Sequence, residues 1–208
     1  MNTITSHDEG LTFSTNGICQ FAKYEFSATV NDISLSDECR KFLEFIVNYV
    51  IDGNEIQPDE TIAYGYWITK AVLSEDGKLV FWEYDREAVE FIFGISNALH
   101  YWQAQQEICS RASAEFVPIR PDQKIAISDG VYDGSPVSAV RYPAPPHMSG
   151  WYLTTNKYDG NISSLKVVHA YHVSAQRPDL AKYFALPCGY RFHSDDDKVW
   201  FDEKVVQK

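Results

Sequence analysis

His169 and His172, three residues apart in HAYH, are the first pair in this chain with types and spacing suited to a shared chemistry. On a helix that spacing turns both imidazoles to one side, where His147, His193 or Asp179 could complete a site for a divalent transition metal. On a strand the two rings point to opposite sides, and hydrogen-bonded histidines on a half-buried face are the plainer alternative. Cys188 with His193 has the composition of a thiolate–imidazole pair, and His147 with Asp159 that of a general base and its orienter. Among the carboxylates, Asp129 and Asp133 flank Tyr132 in DGVYDG, an acidic frame for an aromatic interface anchor. Asp195, Asp196 and Asp197 are consecutive and read as a solvated turn, since the spacing of a calcium-binding loop is missing. Glu83, Asp85 and Glu87 precede a long helical pattern, where the positive end of a helix favours negative charge.

Motifs that geometry makes obligatory for other chemistries are missing. There is no phosphate-binding G-x-x-x-x-G-K-[ST] loop, no dinucleotide G-x-G-x-x-G, no H-E-x-x-H, and no G-x-S-x-G elbow, Ser149 in HMSGW lacking the first glycine. No cofactor is expected. Against 18 Lys and Arg stand 29 Asp and Glu, a net charge of −11 that disfavours nucleic acid and anionic membrane as partners and favours a basic one. The four cysteines, Cys19, Cys39, Cys109 and Cys188, are dispersed without a CxxC pair and are expected as reduced thiols. The N-terminus has no basic region followed by an apolar run, and no stretch of about 18 apolar residues occurs elsewhere. A soluble, cytoplasmic protein is expected.

The elements that must position these residues follow from period and punctuation. Residues 1–17 are polar and read as a flexible lead-in. ICQFAKYEFSATV (18–30) reads as a strand. SDECRKFLEFIVNYVIDG reads as a helix with Ser36 as N-cap, Gly53 past its end, and Cys39, Phe42, Leu43, Ile46, Val47 and Val50 on one face. ETIAYGYWITKAV and KLVFWEYD flank SEDG as a hairpin. Residues 86–114 carry the longest helical pattern, with Gly94 inside it marking close packing. FVPIRPDQ is the candidate boundary, dividing an N-terminal half (18–115) from a C-terminal half (116–208). Beyond it, KIAISDG, VSAVRYP and WYLTTN read as strands, SSLKVVHAYHV as a helix from a Ser163 or Ser164 cap, RPDLAKYFALP as a short helix, and GYRFHS with KVWFDEKV as a last hairpin. The predicted class is α+β, a mostly antiparallel sheet packed with two longer helices and short C-terminal ones.

HMSGWYLTTNKYDG (147–160) and HAYHVSAQRPDLAKYFALPCGYRF (169–192) then carry a resemblance. With SGW, the Asp159-Gly160 turn, RPDLAKY and ALPCGYRF, they resemble a family of bacterial immunity proteins of polymorphic-toxin systems, immunity family thirty-three. AYGYWITK, VFWEYD and RPDQKIAISDGV look like longer members, extending the resemblance over most of the chain. It implies a protein that binds and blocks a cognate secreted toxin, protecting the producer and its siblings, with no catalytic residues. The matching Gly150, Trp151, Pro187, Gly189 and Phe192 are implied to be structural. The expected partner is a basic toxin encoded by the adjacent gene. The expected contact residues are Asp129, Tyr132, Asp133, Asp195, Asp196 and Asp197, on loops of the right charge. A metal-dependent hydrolase built on His169 and His172, and an adaptor that loads an effector for secretion, are the two alternatives.

Overall fold

A computed structural model describes residues 3–207, with the side chain of Cys19 outside that description. The chain is α+β, with two mixed sheets and four helices, and it divides into two compact units, residues 1–103 and 104–208.

The first unit contains β1 (Thr3–His7), β2 (Thr12–Asn16), β3 (Phe26–Thr29), α1 (Ser36–Ile51), β4 (Thr61–Tyr64), β5 (Trp67–Leu73), β6 (Leu79–Tyr84), β7 (Phe91–Phe93) and the start of α2 (Ser96–Arg111). The sheet order is β1-β2-β3-β6-β5-β4, with β7 also paired to β6. Only β3 and β6 run parallel; the other pairs are antiparallel. The period-3.6 stripe of α1 does what its spacing predicts: Cys39, Phe42, Leu43, Ile46 and Val50 are buried, and Phe42 meets Phe81 and Tyr64 edge-on at 4.9 and 5.0 Å.

Four expectations need correction in this unit. Residues 3–16, expected as a flexible lead-in, form the β1–β2 hairpin, because Phe13 is driven into the core while Thr12 and Ser14 bond across to Thr29 and Ser27 at 3.1 and 3.0 Å. Residues 18–25 are not a strand, which begins only at Phe26. Ser36 is the first residue of α1 rather than its N-cap, a place taken by Leu35. The largest change is at residues 86–95, where a turn and β7 replace the predicted first third of a long helix. Gly94 stands at φ +92 with Thr29 O 3.0 Å from where a Cβ would be, and Ile95 donates to that same oxygen at 3.0 Å. The glycine marks close packing as expected, but through a left-handed bend that lets the chain pass β3.

The second unit contains the rest of α2, β8 (Lys124–Ile127), β9 (Ser138–Arg141), β10 (Met148–Thr154), β11 (Lys166–His169), α3 (Ala170–Gln176), α4 (Pro178–Ala181), β12 (Tyr190–His193) and β13 (Lys198–Phe201). Its sheet runs β11-β8-β10-β9-β12-β13, with β8 and β10 parallel. The units divide after Gln103, within α2 and ahead of the proline-rich connector. SSLKVVHAYHV is no single helix. Lys166–His169 pair with β8, because the alternation around Val167 and Val168 suits a strand, and α3 starts only at Ala170.

Candidate partner-binding surfaces

In the second unit, the 147–160 stretch begins with β10, which buries Trp151 and Leu153 in the core, and ends in a turn. Ser149 is buried and inert: its Oγ donates to Lys124 O at 2.9 Å and accepts from Trp151 N–H at 3.1 Å, stapling an irregularity in the β8–β10 register. Gly150 sits at φ +82 where a Cβ would overlap the carbonyl oxygen of Tyr142, so no other residue fits. Trp151 packs on Phe192 with ring centroids 5.3 Å apart, and Phe192 stacks on Tyr183 at 3.9 Å. Gly189 donates to Arg141 O at 2.8 Å, and Pro187 follows the buried run from Tyr183 to Leu186.

His169 ends β11 and His172 lies in α3. Their ring centroids are 5.9 Å apart, with Tyr171 stacked 5.4 Å from the first and tilted 4.2 Å from the second. Among the described residues no group of three or more His, Cys, Asp or Glu is arranged to hold a metal ion. His193 Nδ1 lies 3.0 Å from Ser138 Oγ and its ring stacks on Trp200, while burial pushes the Cys188 thiol above the ordinary range. Burial likewise pushes Cys39 up to about 12 and Cys109 to about 11, so neither is a ready thiolate. Asp159 accepts from Asn161 N–H and Ser164 Oγ within its own turn, and those bonds hold its carboxyl below the usual range.

The acidic loops are less free than their composition implies. Asp129 pairs with Lys166 at 2.8 Å and Asp133 with Lys157 at 2.7 Å. Tyr132 between them is half-buried rather than exposed, and burial raises its phenol pKa. Asp197 pairs with Lys182 at 2.7 Å, accepts from the Tyr183 hydroxyl, and gives its carbonyl to Arg111 at 3.2 Å. Asp196 accepts from Lys198 N–H at 3.2 Å, and Asp195 is exposed.

Two arginines that sequence reasoning passed over tie segments of the second unit together. Arg141, only 8% exposed, donates to Ser149 O, Val117 O and Leu186 O at 3.0, 2.7 and 2.5 Å, and burial lowers its pKa. Arg177 bonds Val131 O and Ser135 O at 2.7 and 3.1 Å and forks onto Asp179 at 2.9 and 2.8 Å, fixing the 129–135 loop. A signal for Arg141 existed: in VSAVRYP it shares the inward parity of Ala139, an unusual place for a charge.

The sheet also has an outward side. Tyr152, paired with Val140 across the β9–β10 ladder, meets Tyr142 edge-on at 5.3 Å. With Thr154, Tyr158, Ile162 and Leu165 these residues line a groove of about 470 Å³.

Charge separates the two units sharply. Residues 1–103 carry 17 acidic and 6 basic side chains, while residues 104–208 carry 12 of each, so the whole net charge of −11 falls on the first unit. Its outward sheet side is aromatic over β6 and β7. Tyr84 stacks on Phe91 at 4.1 Å, Trp82 meets Phe93 edge-on at 6.2 Å, and Lys70, ion-paired to Asp59 at 2.8 Å, lies 5.4 Å over the Phe91 ring. On the inward side Glu83 is buried at 2% exposure, and its two oxygens accept from Asn97 N–H and Ala98 N–H at 2.7 and 2.6 Å. It neutralises the positive end of α2 from a neighbouring strand, whereas the sequence places it beside that helix along the chain. Burial pushes its carboxyl up to about 7 against the pull of those amides.

The second unit is thus a six-stranded mixed sheet over an aromatic core, tied by two buried arginines. Residues 104–202 match the Imm33-like domain, similar to the immunity family thirty-three to which the C-terminal motifs point. The match covers Gly150, Trp151, Pro187, Gly189 and Phe192 and nearly all of the second unit, leaving AYGYWITK and VFWEYD outside. No curated protein and no solved structure matches the chain. Among the described residues no helix is long and apolar enough to cross a membrane.

Proposed function

We propose that this chain is an immunity protein that captures a cognate secreted toxin in the cytoplasm of the producing cell and blocks its active site. The observation that carries the reading is the Imm33-like match over residues 104–202. The physical state of the nucleophile candidates favours it: Ser149 is committed to backbone bonds, and burial raises the thiols of Cys39, Cys109 and Cys188. Inhibition by binding needs none of them. It needs a stable scaffold with exposed aromatic contacts, because such side chains dominate binding energy at protein interfaces.

The test is co-expression with the toxin encoded by the adjacent gene. Cells making that toxin in their cytoplasm should stop growing without this protein and grow with it, and the two purified proteins should elute as a one-to-one complex. Toxicity unrelieved by the intact protein overturns the reading.

A further inference from the structure

We propose that the outward β6–β7 face of the first unit is the docking surface for a basic protein partner. The proposal rests on the immunity reading, the partner being the toxin, and it places recognition outside the stretch that matches the Imm33-like domain. Two features of the face and one of the whole unit support it. Trp82, Tyr84, Phe91 and Phe93 form two ring pairs, and Phe93 stays 59% exposed. Glu87 and Glu90 stand exposed in the turn leading into β7. This unit also holds the chain's entire charge imbalance.

Exposed rings next to a turn with two exposed carboxylates and one exposed cation, Arg86, are chemistry for guanidinium and ammonium groups, which the rings attract by their quadrupoles and the carboxylates by charge. The one cation already over a ring here, Lys70, has its charge answered by Asp59 and leaves the imbalance intact. A second copy of this chain would bring a like charge of −11 to the face, so self-association is opposed. A nucleic acid is opposed for the same reason. The loops of the second unit cannot supply the same attraction, because Asp129, Asp133 and Asp197 are ion-paired within a unit of zero net charge.

The experiment measures association and dissociation of the full-length chain with the purified toxin at low and high salt. Phe93→Ala should weaken the complex at least about tenfold through faster dissociation, as truncating an aromatic anchor does. Glu87→Lys with Glu90→Lys should slow association at least about tenfold at low salt, with the difference shrinking at high salt. Asp129→Lys with Asp133→Lys, an equal change of charge in the second unit, should alter association by less than about threefold. Each variant is first checked for an unchanged melting curve; all the substituted side chains but Asp133 and Asp129 lie in the first unit, and none is buried. If the intact chain binds the toxin but the first-unit variants bind as tightly and as fast, or the second-unit control loses as much, the surface is wrong and the function stands. If the intact chain forms no complex, the reading of function falls and this surface with it.

Discussion

The two units solve the problem of a buried charge with opposite signs. In the first, the ion is Glu83, facing the amide ends of α2; in the second it is Arg141, facing three backbone carbonyls. Each charge is met by backbone dipoles of the opposite sense rather than by a full counter-charge, which satisfies its hydrogen bonds without adding a second ion to desolvate. The consequence for behaviour differs, because a carboxyl pushed to about 7 titrates in the working range of most cells and a guanidinium does not. The raised carboxyl thus lies in the unit with the excess of surface carboxylates, and the unit that matches the Imm33-like domain is held by a permanent charge.

The strongest way to break that contrast is at Arg141. Arg141→Met keeps most of the stem's packing but leaves three carbonyls unpaired, and should cost about 3 to 5 kcal/mol in urea denaturation. Amide exchange should rise in β9 and β10 and stay slow in β5 and β6. Equal exchange rises in both sheets would mean that the two units do not open separately.

The Glu83 carboxyl sharpens the comparison through pH. Its folded pKa of about 7 lies above its ordinary 4.5, so the folded state holds the proton more tightly. Stability from this group is full below about pH 4.5, falls as pH rises towards 7, and stays at the lower level above it. The loss accumulates to about 3 kcal/mol. Glu83→Gln should remove that slope, seen as a difference between the two stability–pH curves; parallel curves would show that folding leaves the Glu83 pKa unchanged. The smallest effect is expected from Asp129→Asn with Asp133→Asn, which removes two exposed ion pairs and should leave the melting midpoint where it was. A clear drop would give those loops a structural weight that their exposure argues against.

Much of this architecture is legible from period and punctuation, and the failures have physical causes. The stripe of α1 and the hairpin at Gly77 are local patterns, and both are found. Residues 86–95 mislead because apolar spacing in EFIFGIS fits a helix, while pairing with β6 and the bend at Gly94 are tertiary facts. Residues 3–16 mislead because a sheet face of Thr and Ser looks like a polar tail until its partner strand is known. At the candidate surfaces, sign and residue type pointed to acidic loops, yet whether a carboxylate is free depends on lysines 24 and 37 residues away along the chain. The excess of negative charge was visible in the composition, and its confinement to one unit emerges only once the boundary is drawn inside α2.

Gly150 has a bearing on how the second sheet assembles. The two residues that follow it, Trp151 and Tyr152, point to opposite faces, so a slip of one position would send the indole to solvent and a phenol into the interior. Because only a hydrogen atom clears the Tyr142 carbonyl, a slipped alignment would bring a side chain against that oxygen and be rejected by steric overlap. The glycine thus acts as an indexing notch, admitting one alignment of β10 on β9 and setting which aromatic ring the molecule shows to the outside.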